Sequence, residues 1–208
     1  DAEEAVTRND NIKAGLKLKL ESRRRQQAEA AEALQKAAAD KNNTAQRIRI
    51  LEDLERNMDG YQQSVKAVMR AAGGGRLRGI IGPVAGILSV RKGYEIAIET
   101  ALGFALQNIV VQDQGCARAA ITFLKEERAG RATFLPLDTV QRRGPNREEE
   151  ALAKLPGILG YAVDLIGYKP EAENAVRFLL GRVLIAENID AALAAAKAGR
   201  YRLRVVTL

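Results

Sequence analysis

Between Asp1 and Met58 the chain carries no proline and a single glycine, Gly15, while charged residues of both signs alternate with Ala and Leu. Such a stretch is confined to helix: its commonest residues are strong helix formers, and nothing breaks the hydrogen-bond ladder. Stepping alternately by three and four from Leu16 gives Leu20, Arg23, Gln27, Ala30, Leu34, Ala37, Lys41, Thr44, Ile48, Leu51, Glu55 and Met58. Most are apolar, with interruptions at Arg23, Gln27, Lys41 and Thr44, which describes an imperfect coiled-coil seam. The alternative is an amphipathic helix packed on its own domain. At 1.5 Å per residue, however, about 58 residues extend roughly 87 Å, too far for a small globule to cover. Length therefore favours a coiled coil. No later segment can be its antiparallel partner, so the partner strand belongs outside this sequence.

The composition shifts at Asp59-Gly60-Tyr61, where Gly and longer apolar runs begin, and the rest of the chain repeats itself. Gly79-Ile80-Ile81-Gly82 recurs 78 residues later as Gly157-Ile158-Leu159-Gly160, and Leu102-Gly103 as Leu180-Gly181. After a four-residue shortening the match resumes at an offset of 74, placing Ile109-Val110-Val111 on Val183-Leu184-Ile185 and Thr133-Phe134 on Thr207-Leu208. Each copy reads as a glycine-bounded segment, a helix, a short apolar strand, an Ala-rich helix and a final strand, which predicts parallel βαβ pairing. The expected helices are 116–127, capped by Gly130, and 190–197, broken at Gly199. The fold class is thus mixed α/β: an arm at 1–58, a first unit at 59–139, a polar linker at 140–154 and a second unit at 155–208. The linker, rich in Arg, Glu, Gly, Pro and Asn, has a solvated composition.

Composition narrows the chemistry. The chain has no His, which removes the commonest general base and metal ligand. Cys116 is the only cysteine, so neither an intrachain disulfide nor a Cys-ligated zinc site is available, and a reducing cytoplasm is the expected compartment. No apolar run is long enough to span a membrane, and no secretory leader opens the chain. It begins at Asp1 rather than Met, as a fragment of something longer would. The net charge of +7 is uneven. Residues 1–58 hold 12 basic and 11 acidic side chains, leaving 21 and 15 for residues 59–208, a net +6 on the globular part. A polyanion such as DNA is the partner this suggests.

A coiled coil running into a glycine-bearing segment, then Tyr94-Glu95-Ile96-Ala97-Ile98-Glu99-Thr100-Ala101-Leu102-Gly103, Ile109-Val110-Val111 and Gly130-Arg131-Ala132-Thr133-Phe134-Leu135-Pro136-Leu137, closely resembles the hinge domain of bacterial SMC (structural maintenance of chromosomes) proteins. Leu155-Pro156-Gly157 through Arg204-Val205-Val206-Thr207-Leu208 follows the same pattern. The resemblance implies two hinge subdomains and a homodimer that joins two long arms. It also implies sequence-independent DNA contact near the junction of hinge and arm, and residence on the bacterial chromosome. ATP and magnesium would be needed only at ATPase heads outside this chain, with no cofactor here. In the family the last strand continues into an acidic-glycine turn, a glycine-rich segment and the returning arm. The second subdomain is therefore expected to be truncated at Leu208, and its self-association to be weakened.

Four basic clusters are candidate DNA contacts: Arg70, Arg76 and Arg78; Arg91 and Lys92; Arg142 and Arg143; and Arg200, Arg202 and Arg204. A charge run is otherwise a solvated face. Strand alternation puts Arg202 and Arg204 on one side and Leu203 and Val205 on the other. Tyr61, Tyr94 and Tyr201 can stack on unpaired bases or pack internally. Gly79, Gly82, Gly157 and Gly160 serve either as turns flanking a strand or as close-packing points between subdomains or protomers. Gly103 and Gly181 read as helix caps. The run Gly73-Gly74-Gly75-Arg76-Leu77-Arg78-Gly79 lacks the phosphate-loop pattern and reads as a connector between arm and globule. Cys116, near a helix start but with no His partner, reads as a small half-buried residue. The rival functions are a small α/β ligand-binding or enzymatic domain fused to a coiled coil, and a purely structural spacer.

Overall fold

A 55-residue helix, α1 (Ala2–Arg56), forms the first of two structural units, Asp1–Asp59, and the second unit is Gly60–Leu208. The computed structural model describes residues 2–208, without the side chains of residues 2–7, 10, 55 and 56; Glu55 of the seam is thus outside the described side chains. Every described side chain of α1 is exposed, including the seam residues Leu16, Leu20, Leu34, Ile48 and Leu51. Ile12, Leu18, Ile50 and Leu54, off the seam, are exposed as well. The apolar seam is thus uncovered within this chain, as the coiled-coil reading expects.

The second unit opens with α2 (Gln63–Gly73), which buries Ser64, Val65, Val68 and Ala71, one helical face. Then come β1 (Ile80–Pro83), the short α3 (Val84–Ile87), β2 (Leu88–Val90) and α4 (Glu95–Leu102). The first half ends with β3 (Ile109–Val111), α5 (Gln114–Glu126) and β4 (Phe134–Pro136). The second half contains α6 (Arg147–Glu150), β5 (Ile158–Tyr161), β6 (Ile166–Tyr168), α7 (Glu173–Leu180), β7 (Val183–Ala186), α8 (Ile189–Ala198) and β8 (Arg204–Thr207). Two three-stranded sheets, β1-β3-β4 and β5-β7-β8, share one topology. The first strand runs antiparallel to the central one and the last runs parallel to it. Each parallel pair is bridged by one helix, as a βαβ unit requires. The central strands β3 and β7 are buried at every residue, which explains their unbroken apolar runs.

Backbone pairing corrects the repeat. The amide of Gln112 donates to the Gly79 carbonyl, and that of Glu187 to the Gly157 carbonyl, so the central strands correspond at an offset of 75 rather than 74. The amides of Leu137 and Leu208 donate to Val111 and Ala186, so the last strands correspond at 71. Both differences reflect chain length in loops. The one-residue error matters because it would turn every central-strand side chain to the opposite face.

The two halves are not independent. A single apolar core runs from Val84 through Ala97, Ile98 and Val110 to Val176, Leu184 and Val206. β2 and β6 pair antiparallel across the halves, with Ser89 opposite Gly167. A Cβ on Gly167 would sit 3.4 Å from that of Ser89, so Gly167 is a small residue at the meeting point of the halves. The polar stretch 140–154 also differs from a solvated linker. It forms α6 and a 3-10 turn (Ala151–Lys154), and it buries Glu149 and Leu152. The run Gly73–Gly79 lies between α2 and β1 inside the second unit, so α2 separates it from the arm.

Candidate nucleic-acid interface

Five arginines line one cleft of about 580 Å³: Arg142, Arg143, Arg182, Arg202 and Arg204, with Gly144, Phe178, Leu179 and Val183 completing the wall. The helix α7 and strand β7 meet at Gly181-Arg182, which aims Arg182 into the cleft beside the incoming 142–144 segment. Gly181 has an ordinary helical φ of -65, so its requirement is space. A Cβ there would collide with the carbonyl oxygens of Arg143 and Arg177, so only glycine lets the polar segment cross the end of α7. The Gly181 amide closes the helix onto Arg177 O at 2.9 Å.

The arginines are not equally available. Arg204 donates to the carbonyls of Ala101 and Thr100 at 2.6 and 2.8 Å, capping the carbonyl end of α4 and tying β8 of one half to a helix of the other. Arg142 bonds Asn174 at 3.3 Å and lies 3.9 Å from the Glu173 carboxylate, which Arg177 also holds at 2.9 Å. Arg143 stacks over Phe178, 4.3 Å from the ring centroid. Arg182 pairs with Glu149, a carboxylate only 8% exposed. The Arg202 side chain is exposed and, among the described residues, makes no ion pair or hydrogen bond.

Glu149 is the centre of its own network. Asn146 and Glu149 form a reciprocal capping box at 2.9 and 3.0 Å, and the Tyr161 hydroxyl donates to the Glu149 carbonyl at 2.7 Å. Burial opposes ionisation of Glu149, but the Asn146 amide and the Arg182 guanidinium outweigh it and hold the carboxyl below the usual carboxylate range. Burial first, then the Glu149 charge, pushes the Tyr161 phenol up to about 12, so it stays a donor.

The other candidates do not line this cleft. Arg70 is exposed in the last turn of α2. Arg76 pairs with Glu127 at 3.0 Å and lies 5.1 Å from the Phe123 ring centroid, and Arg78 is exposed. Arg91 and Lys92 are exposed in the turn between β2 and α4, and Arg200 is exposed just beyond α8. Of the three tyrosines only Tyr201 is solvent-presented, at 74% exposure; Tyr94 packs against the core and burial raises the Tyr61 phenol pKa. Burial also raises the Cys116 thiol, away from a reactive thiolate.

The paired glycines have internal roles. Gly79 and Gly157 carry φ of +71 and +75, and a Cβ on either would strike Cys116 Sγ or Ala191 Cβ in the first turn of α5 or α8. Gly82 and Gly160 sit at register shifts in β1 and β5, with φ near 145 and 137. Within each half, Gly79 and Gly157 thus permit close packing of a strand end against the following helix. Sequence clustering missed Arg182, an isolated arginine, and Glu149, hidden in an acidic run; the Asn146-x-x-Glu149 spacing of a capping box was the available signal.

Residues 77–196 match the family model described as the SMC proteins flexible hinge domain. The chain is 37% identical over 194 residues, 93% of its length, to the chromosome partition protein Smc of Bacillus subtilis, and 39% identical over 177 residues to that of Desulfitobacterium hafniense. It spans only 16% and 15% of those relatives. Its structure is similar to an asymmetric dimer of the Geobacillus stearothermophilus SMC hinge domain, with a TM-score of 0.81 at 39% identity, covering 85% of this chain and 70% of that one. It also resembles the Pyrococcus furiosus hinge domain with an extended coiled coil, with a TM-score of 0.58 at 30% identity, covering 79% and 56%. With its long helical arm and its doubled sheet, the chain belongs to the family of SMC flexible hinge domains.

Proposed function

We propose that this chain is the dimerisation hinge of a chromosome-organising protein, joining two coiled-coil arms and contacting DNA without sequence preference. The similar Geobacillus structure is a dimer, which supports pairing of this chain with a second copy. The uncovered seam of α1 supports a further partner, the returning arm of the parent chain. ATPase heads with their ATP and magnesium would lie in the parent protein outside these 208 residues, which leaves the hinge a mechanical rather than a catalytic part. Its setting would be the cytoplasm, on the bacterial chromosome; no described helix is long and apolar enough to cross a membrane.

The observation that carries DNA contact is the convergence of five arginines on one cleft, within a unit whose net charge is +7 (21 basic and 14 acidic residues over 60–208). Guanidinium groups neutralise phosphates and release counterions, so binding should weaken steeply with salt and ignore sequence. Charge reversal at Arg143 and Arg202 tests this by gel retention of a mixed-sequence duplex at about 50 mM salt. The expected result is a loss of retention of roughly tenfold or more per reversal pair, with a smaller effect from reversing Arg91 and Lys92. Unchanged retention would favour a spacer. Light scattering on this chain beside one extended through the returning arm tests pairing: a dimeric extended form is expected, and a monomeric one overturns the claim.

A further inference from the structure

The cleft carries its own counter-ion, and that counter-ion also holds a secondary-structure element in place. Glu149 Oε1 accepts from Arg182 on the cleft wall, while Glu149 Oε2 accepts from the Asn146 amide at 3.0 Å to close the capping box of α6. The side chain is 8% exposed against 42% for Arg182, so the acid lies behind the cleft and the base in its mouth. Arg202, on the same cleft, adds a weaker positive charge that favours the ionised carboxylate. A cleft anion therefore competes with Glu149 for Arg182. A buried carboxylate that loses its partner is strongly disfavoured, and its escape to water would open the capping box.

We infer that Glu149 is an internal gate on the arginine cleft. Polyanion binding at Arg182 and the folding of the 146–154 segment oppose one another. This rests on the cleft being an anion site, as proposed above, and adds to it a regulation that nothing in the charge count implies. Coupling between the two is reciprocal, so whatever loosens the segment strengthens binding, and binding loosens the segment. The segment reaches the second half's core through Leu152 and Tyr161, so occupancy of the cleft is reported to the body of the fold.

Glu149→Gln separates the roles. A Gln side chain still accepts from the Asn146 amide, as Gln does in capping boxes, but it no longer neutralises Arg182. The expected result is about fivefold tighter retention of a mixed-sequence duplex at 50 mM salt, with a log–log salt slope steeper by roughly 0.9, one more phosphate neutralised. Inorganic pyrophosphate should gain in the same direction. On the unaltered 208-residue chain, saturating pyrophosphate should speed amide hydrogen exchange across 146–154 and leave β7 unchanged. This second measurement stands even if the variant folds poorly. No gain with either probe from a folded variant, or no deprotection of 146–154, overturns the gate. Loss of retention in Arg202→Glu without any gain in Glu149→Gln keeps the DNA reading and rejects the gate. A pyrophosphate gain in Glu149→Gln while Arg202→Glu leaves duplex retention intact does the reverse.

Discussion

Arg128 and Arg200 occupy left-handed backbone, with φ of 51 and 50, immediately after α5 and α8. In each case the next amide reaches back to the third-last helical carbonyl, Ala129 to Leu124 and Tyr201 to Ala196, the hydrogen-bond pattern of a Schellman turn. The sequence suggests Gly130 and Gly199 for these ends, because glycine beyond a periodic apolar run is the usual stop signal. Gly199 is indeed the C-cap of α8 and also packs against Leu152, whereas Gly130 lies beyond Glu127, the C-cap of α5, and packs against Ser64. Since an L residue pays about 1 kcal/mol in that conformation, Arg128→Gly should raise stability by about 1 kcal/mol and Tm by roughly 2–4 °C in a thermal melt. Glu149 gives a prediction in the acid range. Its folded carboxyl titrates below its unfolded value, so its stabilising contribution is complete above the ordinary carboxylate pKa. That contribution is lost as pH falls through the depressed folded value. Urea midpoints measured from neutral to acid pH should therefore fall less steeply in Glu149→Gln than in the parent chain.

At the level of elements, the halves diverge most where the sequence reads as a linker. α2 covers the end of α5 in the first half; in the second, the short α6 and the 3-10 turn after it occupy the equivalent place before β5, with Leu152 against Gly199. Composition conceals this, because a helix of one turn offers no periodicity and its buried carboxylate looks like any surface acid. The helices α5 and α8 and the strands β3, β4, β7 and β8 were legible from apolar runs and turn residues, and their parallel pairing followed from helix-linked strands, whereas α2 and the β2–β6 pair were not. The register was not legible to one residue, since Ile-Val-Val and Val-Leu-Ile-Ala are buried on both faces and alternation gives no reference. Gly181→Ala should cost about 2–3 kcal/mol in urea unfolding, because the polar segment must lift away from the end of α7. Arg204→Met should cost about 1–2 kcal/mol, as two carbonyls at the end of α4 lose their donor.

For the molecule as a whole, doubling of the sequence does not produce two separately stable bodies. Val84, Ala97 and Ile98 of one half share a core with Val176, Leu184 and Val206 of the other. A chain cut to residues 60–139 should therefore fail to fold, whereas 60–208 should unfold in one transition; circular dichroism and calorimetry on the two fragments check this. The candidate cleft was half legible: Arg142, Arg143, Arg202 and Arg204 stood out as clusters, but their convergence with Arg182 depends on a chain crossing that only Gly181 permits. The pairing of β2 with β6 also sets an order of events. Ser89 meets Gly167, and Arg204 reaches carbonyls 103 and 104 residues back along the chain. Contacts of such separation form slowly, on the millisecond-to-second scale of high-contact-order folds, whereas a helix such as α1 grows locally within about a microsecond. On a ribosome the helix of the arm thus forms well before the globule beyond it closes, because the sheet of the second half waits for β8 to dock against β7.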